Sequence, residues 1–225
     1  MARRGSIPDR WLAYRACGNV IEGTRIICFK VPLRKEVQDN NPLIKEIWDM
    51  EKLLEKIPNI GAVIDLTNTS RYYNPKGFVS AGVLHKKIHV QGHVVPPEAK
   101  VTEFMNTVDK FLEKDDDSLV GVHCTHGLNR TGYMVCRYLR DRLKIPAGTA
   151  IEKFEAARGY KIERPNYIES LHAKLPSAKP SLLRHEPLSW RKKSVKSDGT
   201  DNLRNNDKFR NFNKGKNMSN YYKKT

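Results

Sequence analysis

Ser118-Leu119-Val120-Gly121-Val122 is a short apolar run, and Tyr133 to Leu143 reads as a helix. Between them lies His123-Cys124-Thr125-His126-Gly127-Leu128-Asn129-Arg130-Thr131-Gly132. A buried strand, a glycine-containing loop and a helix in direct succession constrain this chain more than any other feature. They put the loop between a strand end and a helix start, where unpaired N–H groups and the helix dipole favour an anion. Cys124 stands at the base of that loop and Arg130 at its rim.

The residue types suit attack on phosphorus. A thiol is a weak nucleophile until ionised, and a ring of N–H donors at a helix N-terminus lowers its pKa below about 8.5. Arg130 can hold two phosphoryl oxygens in a fork. Gly127 and Gly132 let the backbone turn its N–H groups inward. The Thr131 hydroxyl can donate to the thiolate, making it a better leaving group when a phosphocysteine is hydrolysed. The alternative is a structural cysteine near a surface arginine, but strand, His-Cys, glycines, Arg-Thr-Gly and helix together are far rarer than the Cys-to-Arg spacing alone.

The rest of the chain reads as alternating short strands and helices. Strands are expected over 26–29, 62–66 and 84–90, and helices over 43–57, 97–113, 146–157 and 166–173, with Pro165 at the first helical position. The pattern predicts an α/β fold, a mostly parallel central sheet with helices on both faces. The loop then lies at the carboxyl end of a central strand, where ligands bind in such sheets.

At this point the sequence resembles the cysteine-dependent dual-specificity phosphatases. The fuller string His-Cys-Thr-His-Gly-x-Asn-Arg-Thr-Gly resembles a narrower branch of them. That branch holds the triphosphatase domain of metazoan mRNA capping enzymes, the baculovirus RNA phosphatase and phosphatases that interact with RNA/ribonucleoprotein complexes. The likeness runs over roughly residues 7–173, through Ile7-Pro8-Asp9-Arg10-Trp11, Phe29-Lys30-Val31-Pro32-Leu33, Ile64-Asp65-Leu66-Thr67-Asn68-Thr69, Arg71-Tyr72-Tyr73 and Glu163-Arg164-Pro165-Asn166-Tyr167. It implies a dual-specificity-type fold and removal of phosphate from 5′-triphosphorylated RNA, without metal or other cofactor. It implies Cys124, Arg130 and Thr131 as catalytic residues, with Thr125, His126, Gly127, Leu128 and Asn129 holding phosphate. Lys30, Arg71 and Arg164 fall in family strings that face the phosphate pocket and are expected as further substrate ligands; the alternative for each is a solvated charge.

Phosphatases acting on protein phosphoesters usually carry an acid about thirty positions before the cysteine, to protonate the departing oxygen. Here Lys87-Ile88-His89-Val90-Gln91-Gly92-His93-Val94-Val95-Pro96-Pro97 contains neither Asp nor Glu, and Gly92 falls where the acid would be. A phosphate or diphosphate leaves an anhydride more readily than an alkoxide leaves an ester, so the gap fits a phosphoanhydride. His93, Glu98 and Asp65 are candidate replacement acids, with a loop role for His93 as the alternative. Tyr72 and Tyr73 can stack on a first base or pack in the core.

The composition shifts near Leu175, which divides the chain into an expected domain over 1–175 and a basic, disordered tail over 176–225. Residues 179–225 hold thirteen Lys or Arg against four Asp or Glu, more than half of the net +16. Such a segment buries too little apolar surface to fold alone. It suits RNA phosphates, with Phe209, Phe212, Tyr221 and Tyr222 available to stack on bases. Arg191-Lys192-Lys193 is a candidate import signal.

No apolar stretch approaches the roughly 20 residues of a membrane span, and nothing apolar follows Met1-Ala2-Arg3-Arg4 as in a secretory signal. The four cysteines, Cys17, Cys28, Cys124 and Cys136, show no metal-ligand or disulfide spacing. The expectation is a monomeric, metal-independent RNA 5′-phosphatase in the nucleus or cytoplasm, with triphosphorylated RNA and ribonucleoprotein or small-RNA-processing complexes as partners. A protein or phosphoinositide phosphatase and a non-catalytic RNA-end binder are the alternatives.

Overall fold

The computed structural model describes residues 6–39 and 41–173. All lie in the first of two units, which ends at Pro176. The expected tail, its Arg191-Lys192-Lys193 run and its aromatic residues lie outside the described residues, as do Met1 to Gly5.

Among the described residues five strands form one sheet: β1 (Cys17–Val20), β2 (Ile26–Lys30), β3 (Ile60–Asp65), β4 (Leu84–Lys87) and β5 (Leu119–Cys124). Their order is β1-β2-β5-β3-β4. Strand β5 is central and parallel to β2 and β3; β4 is parallel to β3, and β1 closes the edge antiparallel to β2. The fully buried runs of β2 and β5 reflect helices on both faces.

Side-chain alternation divides the core into two layers. One face carries Cys28, Ile64, Val122 and Cys124 against α4 (Glu98–Leu112), α5 (Asn129–Asp141), α6 (Ala147–Arg158) and α7 (Pro165–His172). The other carries Ile27, Phe29 and Val63 against α1 (Lys35–Gln38), α2 (Met50–Lys56) and α3 (Lys76–Ser80). Trp11 and Trp48 fill the second layer, and both indoles donate to carbonyls at the end of β2, of Val31 and Lys30 respectively. Among the described residues no helix is long and apolar enough to cross a membrane.

Three boundaries differ from expectation by more than two residues. The helix expected over 43–57 is confined to Met50–Lys56, because the backbone of Trp48 is engaged elsewhere. Its N–H donates to Gln38 Oε1 and its carbonyl accepts from Leu33 and from Gln38 Nε2. Asp49 then caps the helix, accepting from the Lys52 N–H at 2.9 Å. Helix α5 begins at Asn129 rather than Tyr133, so Arg130 and Thr131 belong to its first turn. Strand β4 ends at Lys87, short of Val90.

Candidate active site

Strand β5 ends at Cys124, and only Thr125 to Leu128 separate it from α5. The loop is pinned to β2, where the Val31 N–H donates to the Thr125 carbonyl at 3.1 Å. Gly127 has φ of 69°, and a Cβ there would collide with the Phe29 carbonyl. Only glycine adopts that turn at that approach without strain. At Gly132 a Cβ would lie 2.7 Å from Phe154 and Ile162, so α5 seats against α6 only with hydrogen at this position.

Cys124 lies at the floor, 3% exposed. Burial pushes its thiol up. The Arg130 charge, the Thr131 hydroxyl and the N–H groups of Thr131 and Leu128 outweigh that, and the pKa falls below the ordinary thiol value. The Thr131 hydroxyl is fully buried and makes no hydrogen bond to another group, which leaves it to the thiolate. Burial instead raises the other three cysteines, Cys17 to about 11 and Cys28 and Cys136 further. Of four thiols, one is prepared to ionise.

Arg130 is braced, not loose. Its Nη1 donates to the carbonyls of Val90 at 2.9 Å and Leu66 at 3.3 Å, and its Nη2 to Thr125 Oγ1 at 2.9 Å. A guanidinium carries five N–H donors, so these bonds fix the plane and leave others for an anion.

Cys124, Thr125, His126, Asn129 and Arg130 share a cavity of about 190 Å³ with Gly92, His93, Arg164 and Tyr167. Arg164 reaches across to His93, with Nη2 3.2 Å from Nε2. The structure thus brings Arg164 to the loop. Thr125 holds Arg130, and Asn129 is tied to Glu163, accepting from its N–H at 2.8 Å. The His126 ring turns outward, with Nε2 2.6 Å from the Asp9 carbonyl, so its backbone rather than its ring faces the loop interior. Leu128 is fully buried and reaches Cys124 through its N–H.

Two expected ligands lie elsewhere. Lys30 does not line this cavity: its ammonium turns into the core, donates to the carbonyls of Tyr14 at 2.8 Å and Trp11 at 3.2 Å, and sits 3.6 Å over the Trp11 ring. Burial lowers its pKa to about 8. It pins the N-terminal segment to β2. Arg71 is exposed and stacked 5.0 Å over Tyr72, also outside the lining of this cavity.

Of the candidate acids, two are committed as ions. Asp65 is buried, which pushes its carboxyl up, but the neighbouring His123 and Lys87 and bonds from Lys87 and Thr67 bring it below the usual value. Glu98 is bidentate on Arg137 at 2.7 Å, which lowers its pKa. His93 lines the cavity, and no carboxylate does among the described residues.

Arg158 and Glu163 escaped the sequence reading. Arg158 is fully buried behind the loop. Its Nε donates to the Gly127 carbonyl at 3.2 Å, and its Nη2 to those of His126 at 3.0 Å and Arg15 at 2.8 Å. Drawing these carbonyls backward turns the loop N–H groups toward the anion. The signal was present in the sequence: Ala150, Phe154 and Arg158 fall on one helical face, and all three are buried. Glu163 gathers Arg10, Tyr14 and Asn129, and the Arg10 bond pulls its carboxyl down to about 2.

The catalytic domain described as dual specificity phosphatase matches residues 45–175, more than half of the chain. The chain belongs to the dual specificity phosphatase family. A "Tyrosine-protein phosphatase" of Autographa californica nuclear polyhedrosis virus is 53% identical to this phosphatase over 164 residues, 73% of the chain and 98% of the relative. The "RNA/RNP complex-1-interacting phosphatase" of Homo sapiens is 44% identical over 170 residues, 73% of the chain but 51% of the relative. The fold is that of Tk-PTP, with a TM-score of 0.55 at 16% identity over 70% of the chain and 96% of the other. PTPMT1 shares it, with a TM-score of 0.52 at 21% identity over 69% and 91%. Among the described residues of this phosphatase, no group of three or more His, Cys, Asp or Glu could hold a metal ion.

Proposed function

We propose that this phosphatase removes phosphate from the 5′-triphosphate end of RNA through a phosphocysteine intermediate. One observation carries the reading: the cavity above Cys124 presents Arg130, Arg164 and His93, and no carboxylate among its described lining. The site suits a polyanion whose leaving group needs no proton.

In the proposed reaction the Cys124 thiolate attacks the terminal phosphorus, an S–P bond forms and the bridging P–O bond breaks. Arg130 and the loop N–H groups hold the equatorial oxygens as charge develops. The departing diphosphate end of the RNA carries its own charge away, with Arg164 beside it. Water then cleaves the S–P bond, releasing phosphate, and the Thr131 hydroxyl stabilises the returning thiolate. A second round on the β-phosphate would leave a monophosphate end.

The name of the human relative supports RNA or ribonucleoprotein complexes as partners. A thiolate nucleophile supports a reducing compartment, the nucleus or the cytoplasm. A second reading, a protein phosphotyrosine phosphatase, is favoured by the name of the viral relative. The test is release of labelled γ-phosphate from triphosphorylated RNA in the presence of a chelator, beside turnover of a phosphotyrosine peptide. Faster release from RNA is the expected result. Turnover of the peptide alone would select the second reading.

A further inference from the structure

A second cavity, of about 120 Å³, lies under the connection between β3 and α3. Tyr72, Tyr73 and Pro75 give it flat apolar walls, and Asp65, His85 and Lys87 line it with polar groups. We infer that this cavity receives the first nucleoside of the RNA, a proposal that rests on the RNA reading of the Cys124 site.

The charge balance of the cavity selects the occupant. Lys87 and Asp65 pair at 2.8 Å, and Asp65 takes a further bond from the Thr67 N–H at 2.7 Å. Lys87 is also held by the Thr69 carbonyl at 2.6 Å. With its cation and its anion spent on each other, the lining offers no free charge to a phosphate. Aromatic walls around a neutralised pair suit a flat, uncharged ring, and stacking on tyrosine accepts any base. Exposed Arg71 lies in sequence between two lining residues, Ser70 and Tyr72, with its guanidinium 5.0 Å over the Tyr72 ring. Arg71, absent from the terminal-phosphate cavity, is thereby placed beside the ribose-phosphate of the same substrate.

The two cavities flank the end of β3. Asp65 lines the second, while the carbonyl of the next residue, Leu66, holds Arg130 of the first. Asp65 is in register with His123, the neighbour of Cys124, so they are one strand spacing apart, about 5 Å. The proposal sets the terminal phosphorus over Cys124 and the nucleoside over the end of β3.

The test compares kcat/KM for a triphosphorylated dinucleotide with that for inorganic tripolyphosphate, which has no nucleoside. Ser70→Trp fills the mouth from an exposed position, and Tyr72→Ala removes one wall. Each is expected to lower the dinucleotide-to-tripolyphosphate ratio about tenfold, the scale of one stacking contact. If Tyr72→Ala does not fold, Ser70→Trp decides alone. A ratio unchanged in the folded variants overturns the nucleoside site and leaves the RNA reading standing. If the full chain hydrolyses p-nitrophenyl phosphate but neither triphosphate, the RNA reading fails, and the nucleoside site with it.

Discussion

Arg158 donates to the Gly127 carbonyl from inside the core, and among the described residues it has no carboxylate partner. Burial lowers its pKa, while carbonyl dipoles, nearby thiols and the Tyr160 ring, 5.2 Å away, favour its charge. An unpaired buried cation is costly, and here it holds the phosphate loop in shape. Arg158→Met should leave three carbonyls unsatisfied and destabilise the domain by at least about 2 kcal/mol. Arg158→Lys, keeping the charge without the fork, should fold better but still lose activity. Urea unfolding and turnover of p-nitrophenyl phosphate would separate the two effects.

Thr131→Val should divide function from stability. The native hydroxyl is buried without a partner other than the thiolate, so a near-isosteric methyl costs the fold little. Losing a donor to a charged group is worth about 1.5–3 kcal/mol, roughly ten- to a hundredfold in rate. We expect that loss in breakdown of the phosphocysteine, seen as a trapped burst, with an unchanged melting temperature.

The lowered Cys124 pKa predicts a pH profile. Alkylation of Cys124 by iodoacetamide should rise with pH through a midpoint below that of an ordinary thiol and then level off. Arg130→Met removes the largest favourable charge and should move the midpoint upward. A wild-type midpoint at or above the ordinary thiol value of about 8.5 would contradict the site electrostatics.

Gly92 lines the cavity, and a Cβ built there meets nothing within 4 Å. Gly92→Asp therefore places a carboxyl where an ester leaving group would depart. General acids contribute about 10²–10⁴-fold, so even an imperfectly placed one should raise phosphotyrosine-peptide turnover tenfold or more on the acid side of neutrality. Triphosphate turnover should not gain, because its leaving group needs no proton.

Folding stability should weaken with acid. His85 is held down to about 4 by burial, and His123 is also lowered. In the unfolded chain both take up protons near pH 6.5, while the folded protein leaves them neutral, so stability is complete above that pH and declines as the pH falls toward 4. Melting temperatures across pH 7 to 4 should drop, and drop less for His85→Gln.

The local signals in the sequence were legible where geometry is local. Cys124, Arg130 and the glycines between and after them required no distant partner to interpret. The segment before α2 misled because Leu43, Ile44, Ile47 and Trp48 have helical spacing, yet Trp48 is spent on Gln38 and Leu33, contacts no periodicity reveals. Lys30 misled for the same reason. A strand position says which face a side chain takes, not that Trp11 and Tyr14 will close over its ammonium.

The Tyr73 hydroxyl has three neighbours and one proton. It lies 2.8 Å from His123 Nε2, 3.0 Å from His85 Nε2 and 3.1 Å from Asp65 Oδ2. The other His123 nitrogen faces the Cys124 carbonyl at 3.1 Å, and a carbonyl can only accept. A neutral ring with its hydrogen on Nδ1 presents a bare lone pair at Nε2, a second acceptor for the phenolic proton beside the Asp65 carboxylate. His85 can supply its own Nε2 hydrogen to the phenol oxygen, while Asp65 Oδ2 accepts from both Tyr73 and Lys87. The Cys124 carbonyl thus sets the tautomer of the imidazole next to the nucleophile and turns its bare nitrogen to a phenol fifty residues away in sequence, an isomerism that nitrogen-15 chemical shifts of the two rings would read directly.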